Sequence, residues 1–144
     1  MLVVLIVIQF IRPVPIKSGQ ALPTDISNTY NIPENVNALL KNACYDCHSN
    51  NSAYPWYANI QPIAWLIAHD IKEAKEKYNF SEFGLLSRRK QISRLQEMEN
   101  SIKDETMPLL LFKWMHKSAR LTNEDKKLLI EWVEKTKDSL ENTN

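Results

Sequence analysis

Cys44-Tyr45-Asp46-Cys47-His48 decides the reading of this chain, because it uses both cysteines of the protein and sets a histidine directly after the second. C-x-x-C-H is the spacing at which two thiols add across the vinyl groups of a haem while the adjacent imidazole reaches the iron. On a helical turn, positions i, i+3 and i+4 share one face, so Cys44, Cys47 and His48 present together. The pentapeptide predicts one covalent haem c, held by Cys44 and Cys47, with His48 as the proximal iron ligand. Other uses of paired cysteines are poorly supplied. A structural zinc site takes four protein ligands, and beyond the motif there remain His69, His116 and scattered carboxylates, with no second C-x-x-C. A thioredoxin-like redox pair expects a βαβ setting, and no strand-rich, Gly-punctuated unit surrounds residues 44 to 47.

Working outward, the 144 residues make one domain with a modest core, which a covalent cofactor would enlarge. Hydrophobic residues at 44% and charged residues at 24% are the proportions of a globular protein rather than a disordered one. The formal net charge of +1 leaves no electrostatic footprint for nucleic acid, and none is expected as a partner. Gly19 and Gly84 are the two glycines, too few for a phosphate-cradling loop or for many tight hairpins. An all-α fold follows.

Residues 1–11, Met1-Leu2-Val3-Val4-Leu5-Ile6-Val7-Ile8-Gln9-Phe10-Ile11, form an apolar segment. At about 1.5 Å per helical residue it covers roughly half of a 30 Å hydrocarbon core. Its length suits a signal-peptide core, although no basic residues precede it, no clear A-x-A cleavage site follows, and Arg12 and Lys17 lie after it. The segment reads as a truncated signal or membrane anchor; a buried terminal strand is the plainer alternative for so β-branched a run. Residues 12–32, carrying Pro13, Pro15 and Pro23 and closed by Pro33, read as an extended linker. The body is expected over 33–140.

Pro33 suits a first helical position, and Val36, Leu39, Leu40, Ala43 and Cys47 recur at helical spacing, so a first helix delivers the motif at its C-terminal end. Residues 49 to 61 read as a loop covering the haem. Ile63, Ile67, Ile71, Ala74 and Tyr78 mark one face of a second helix, widened by Trp65 and Leu66, and Ser81 is a candidate cap for the turn that follows. Residues 88 to 103 give a third, with Ile92, Leu95, Met98 and Ile102 inward. A fourth starts at the capping-box-like Thr122-Asn123-Glu124-Asp125 and buries Leu128, Leu129, Trp132 and Val133. Four or so helices around one covalent haem is the expected architecture.

The second axial position of the iron decides the function. Thioether and imidazole are the usual partners of a proximal histidine, which makes Met107, Met115, His116, His69 and Met98 candidates. Met98 sits on a core stripe, and His69 and Met115 fall in or beside apolar helical segments, where packing is the simpler role. Met107 precedes Pro108, and a pre-proline residue is pushed to extended geometry, which suits a loop aiming a thioether across a haem face. His69 and His116 stay as alternatives. The other ring nitrogen of His48 needs a carbonyl acceptor, expected near Pro55 or Pro62. Tyr54, Trp56, Tyr57, Trp65 and Trp114 either pack on the porphyrin or are plain core aromatics.

The order of C-x-x-C-H, a later Met107-Pro108 loop and a final helix bearing an aromatic residue resembles the class I c-type cytochromes. More specifically, Cys44 to Asn50, Tyr54-Pro55-Trp56-Tyr57, Pro62 with Trp65, Asn79-Phe80-Ser81-Glu82, Met107-Pro108 and Leu121 to Trp132 resemble the small bacterial haem-binding domain family over about residues 32 to 138. The resemblance implies haem c on Cys44 and Cys47, ligation by His48 and Met107, and a periplasmic or other extracytoplasmic site for haem attachment. It also implies association with the inner membrane through the N-terminus, where this chain departs from the family in having a shortened segment. The function expected is electron transfer with redox partner proteins, without enzymatic activity. The alternatives are a haem sensor whose distal ligand a small molecule displaces, and a peroxidase with an open distal site.

Overall fold

In the computed structural model, residues 2–13 and 22–142 are described, and they form an all-α protein with no strand among them. The helices are α1 (Leu2–Val7), α2 (Ile26–Thr29), α3 (Glu34–Ala43), α4 (Tyr45–His48), α5 (Ile63–Lys77), α6 (Arg88–Lys103), α7 (Leu110–Met115) and α8 (Asn123–Asn142). Short 3₁₀ turns lie at Ile8–Phe10, Trp56–Asn59, Phe80–Leu85 and Lys117–Ala119. The four long helices α3, α5, α6 and α8 are those that the apolar periodicity predicts.

α8 begins with a reciprocal capping box. Asp125 Oδ2 accepts from the Thr122 backbone N–H at 2.9 Å while the Asp125 N–H donates to Thr122 Oγ1 at 3.1 Å, satisfying two donors that a helix start otherwise leaves open. Its Leu129, Trp132, Val133 and Thr136, spaced i, i+3, i+4 and i+7, are buried; Leu128, expected among them, lies at the boundary with solvent. α8 packs on α6 and α3, and Leu95, Met98 and Ile102 of α6 join Val36 and Leu40 of α3 in one core with Phe80 and Phe83. Met98 is therefore a packing residue, 3% exposed.

The linker expected over 12–32 stops short of its predicted end. Residues 14–21 lie outside the described part of the chain, but from 22 onward the segment belongs to the folded body. Ile26 is fully buried in the core, and Asp25 caps α2 by accepting from the Ser27 N–H at 2.9 Å. The Gly84 N–H donates to the Thr24 carbonyl at 2.8 Å. A Cβ on Gly84 would lie 2.7 Å from Thr29 Oγ1 and 3.1 Å from that same carbonyl oxygen, so this close approach requires glycine. The turn at Phe80–Leu85 is capped by Asn79, which accepts from the Ser81 N–H, rather than by Ser81.

The apolar N-terminus is helical, not a buried strand, and Val3, Val4, Leu5, Ile6, Val7, Phe10 and Ile11 are exposed. It is held to the body by Gln9, whose Oε1 accepts from the Gln61 N–H at 3.0 Å and whose Nε2 donates to the Gln61 carbonyl at 3.2 Å. Among the described residues no helix is long and apolar enough to cross a membrane.

Candidate functional site

α3 stops at Ala43, Cys44 takes a non-helical φ of −128°, and the chain re-enters a single turn of helix, α4. The Cys47 and His48 N–H groups both donate to the Cys44 carbonyl, at 3.2 and 2.9 Å, so the motif folds around the backbone of its own first cysteine. The kink separates the motif from the first helix, where the sequence spacing had extended one helical face through Cys47. α4 packs against α5.

His48 is 4% exposed. Its Nδ1 lies 3.1 Å from the carbonyl oxygen of Tyr78. A carbonyl can only accept, so Nδ1 carries the hydrogen and Nε2 is left with a free lone pair, the tautomer of a metal-binding histidine. The acceptor is thus at Tyr78, not at Pro55 or Pro62. The Tyr78 ring also stacks on the imidazole, with centroids 4.2 Å apart and planes 11° from parallel. Burial lowers the His48 pKa, an effect that outweighs the hydrogen bonds to backbone carbonyls, and so favours the neutral ring a metal needs.

Burial, with Cys47 adding to it, pushes the Cys44 thiol up to about 12. Burial, then the charges of Asp46 and Asp70, pushes Cys47 up to about 11. Reactive redox cysteines have lowered values because the thiolate is the nucleophile, so these two lack the signature of a thiol–disulfide catalyst. Among the described residues no group of three or more His, Cys, Asp or Glu side chains is placed to hold a metal ion.

Two adjoining cavities open beside the motif. The smaller, about 150 Å³, is lined by His48, Cys47 and Met107 together with Ala43, Pro108 and residues of α5. The larger, about 360 Å³, lies between Ile63, Leu66, Ile67 and Ile71 of α5 and the apolar segment running into and along α7. Cys47, Asp70, Leu109 and Phe112 line both. Met107 is delivered by the end of α6: Glu105 adopts a left-handed φ of 57°, which ends the helix, and the Met107 N–H donates back to the Ser101 carbonyl at 3.2 Å.

The other predicted residues separate. His116 lines the larger cavity, its ring tilted 35° to that of Phe112 with centroids 4.2 Å apart and its Nε2 3.1 Å from the Tyr57 hydroxyl, so it is not on the walls that His48 and Met107 share. His69 is a surface residue, its side chain 65% exposed beside Asp70 and Glu73. Tyr57, Trp114 and Met115 line the larger cavity. Tyr54, Trp56 and Trp65 line neither, and Trp56 packs edge-on against Tyr57 while largely exposed. Tyr78, Phe112, Asp70 and Leu109 were missed by sequence reasoning; they reach the site through tertiary packing, and no local motif marks them.

The chemistry of this lining fits a haem at Cys47, His48 and Met107; Cys44 lines neither cavity and lies packed against the core. A nitrogen donor in its metal-binding tautomer and a thioether line one cavity, with a thiol at the junction with its neighbour. The neighbouring walls are apolar, and α7, whose sequence is Leu110-Leu111-Phe112-Lys113-Trp114-Met115, buries none of its own residues against protein. An apolar helix facing an apolar cavity in this way leaves room for an apolar group between it and α5. Fold and site define an all-helical protein suited to hold such a prosthetic group. Residues 3–135 match the model of the haem-binding domain family, and the chain belongs to that family. No curated protein and no solved structure matches it significantly.

Proposed function

We propose that the chain is a monohaem c-type cytochrome-like protein that carries electrons outside the cytoplasm and is not an enzyme. Cys44 and Cys47 would hold the haem covalently, and His48 and Met107 would be the proximal and distal ligands of its iron. The observation that carries this reading is the shared cavity of His48 and Met107, combined with the Nδ1 bond that leaves His48 Nε2 free.

When bound, the haem supplies an iron centre that gains and loses one electron, and pairing thioether with imidazole raises its reduction potential. Every other part of the work falls to the chain. His48 is held in orientation by the Tyr78 carbonyl and ring. Met107 is anchored through the Ser101 carbonyl, so that it and His48 would both be held in place to bind the iron. The walls contributed by α5 and α7 keep water from the site. Redox partner proteins would meet the exposed surface near α7, and the exposed apolar side chains of α1 support association with the inner membrane.

Absorption spectra of the purified protein, ferric and ferrous, with and without carbon monoxide, test the reading. A sulfur-to-iron charge-transfer band and no carbon monoxide adduct are expected. A five-coordinate spectrum, or ready carbon monoxide binding, would replace the carrier by a ligand-binding sensor.

A further inference from the structure

Asp25 lies nineteen residues before the motif, in a segment whose prolines and polar residues suggest a linker, yet it is 2% exposed. Its Oδ1 accepts three hydrogen bonds: from the Ser27 N–H at 2.9 Å, the Ser27 hydroxyl at 2.7 Å and the Tyr45 hydroxyl at 2.8 Å. Two of the three come from Ser27 and would be explained by helix capping alone. The third comes from inside C-x-x-C, since Tyr45 is the residue after Cys44 and the first of α4. Tyr45 continues inward, its ring 5.1 Å from that of Phe80, which in turn lies 5.8 Å from the His48 imidazole.

We infer that Asp25 is a positioning residue that holds the haem-attachment turn through Tyr45 and sets the reduction potential by placing a buried carboxylate beside it. The inference rests on the electron-carrier reading and adds to it a residue outside the motif and outside both cavities. The physical argument has two parts. Tyr45 is tied at its hydroxyl, so α4 cannot rotate without breaking a buried bond to a carboxylate, which is costlier than breaking a neutral one. A carboxylate kept from water exerts its field through a low-dielectric interior, where it favours the more positive, oxidised state of a nearby redox centre.

These two parts give opposite signs on substitution, which a merely structural role would not. Asp25→Asn keeps the size and an acceptor for Tyr45 but removes the charge, so the potential should rise. Tyr45→Phe removes the donor and leaves the carboxylate less neutralised by its partners, so the potential should fall or stay level. General loosening of the turn would move both variants in the same direction.

The test is a spectroelectrochemical titration of the holoprotein and the two variants, with electron paramagnetic resonance of the ferric forms as a second readout. The expected result is an upward shift for Asp25→Asn and none upward for Tyr45→Phe, with altered g values in Tyr45→Phe, where the strut is cut. A wild-type potential in folded Asp25→Asn, or upward shifts in both variants, overturns the assignment alone. Absence of a reversible one-electron couple in the wild type overturns the carrier reading and this inference with it. Should Asp25→Asn not accumulate, Tyr45→Phe decides: a rise in its potential overturns the inference, and a fall with altered g values upholds it.

Discussion

The imidazole of His48 is fixed twice by one residue: its Nδ1 donates to the Tyr78 carbonyl at 3.1 Å, and its ring lies 4.2 Å from the Tyr78 ring. The two contacts separate under mutation because the first belongs to the main chain. Tyr78→Phe keeps both and should leave spectrum and stability near wild type. Tyr78→Ala keeps the carbonyl but removes a buried ring, and should cost about 3 kcal/mol in chemical denaturation, the usual scale for truncating a core aromatic. A histidine left to swing should also broaden the ferric low-spin signal.

Met107→Ala removes the thioether from the cavity it shares with His48. The expected outcome is a lower reduction potential and a carbon monoxide adduct in the ferrous protein, read by redox titration and by the Soret shift. His116, in the neighbouring cavity and bonded to Tyr57, is not expected to take over; His116→Ala in the same background should leave the adduct unchanged.

Cys44→Ala and Cys47→Ala test attachment. Each should leave haem that acidified organic solvent extracts in part, and the double variant haem that it extracts fully. A pyridine haemochrome spectrum identical to that of the wild type in either single variant, with no shift from an unreacted vinyl group, would remove the thioether reading for the missing cysteine.

How much of this was legible in sequence differs by element. α3, α5, α6 and α8 repeat apolar residues at helical spacing against charged faces, and each appears where that pattern places it, except that α3 stops at Ala43, before the motif. α7 was not anticipated, because Leu110 to Met115 is apolar on nearly every side and carries no 3.6-residue rhythm. Residues 22–32 look like linker because Leu22, Ile26, Tyr30 and Ile32 are spread thinly among proline and small polar residues, and only the place of Ile26 in the core that includes Phe83 and Leu95 shows the segment to be folded. The motif itself named Cys44, Cys47 and His48, whereas the acceptor at Tyr78 depends on where α5 ends relative to α4. Helical patterning was readable, and the partners supplied from a distance were not.

Gly84→Ala addresses that distant packing. The added Cβ would meet Thr29 Oγ1 at 2.7 Å and the Thr24 carbonyl oxygen at 3.1 Å, and the carbonyl cannot turn away without losing its bond to the Gly84 N–H. The expected loss is about 1–3 kcal/mol, the range for overpacking a filled interior, seen as a lower thermal midpoint. If the segment around Thr24 were only a tether, the midpoint would not move.

Glu99 joins the two helices that build the core, and it should show in the acid limb of stability. Its side chain is 5% exposed and is paired with Lys103 of α6 and Lys137 of α8. Burial alone would raise its pKa, but the hydrogen bonds from the two lysines outweigh burial and hold it below the ordinary value of 4.5. A carboxylate whose pKa is depressed on folding binds its proton more readily when unfolded, so its contribution is present above the unfolded value and is lost as pH falls through the folded one. Glu99→Gln should therefore lower stability at neutral pH and flatten its decline below pH about 4.5, with the two curves converging in strong acid. Parallel curves of thermal midpoint against pH for wild type and Glu99→Gln would show instead that the ion pairs add nothing beyond packing.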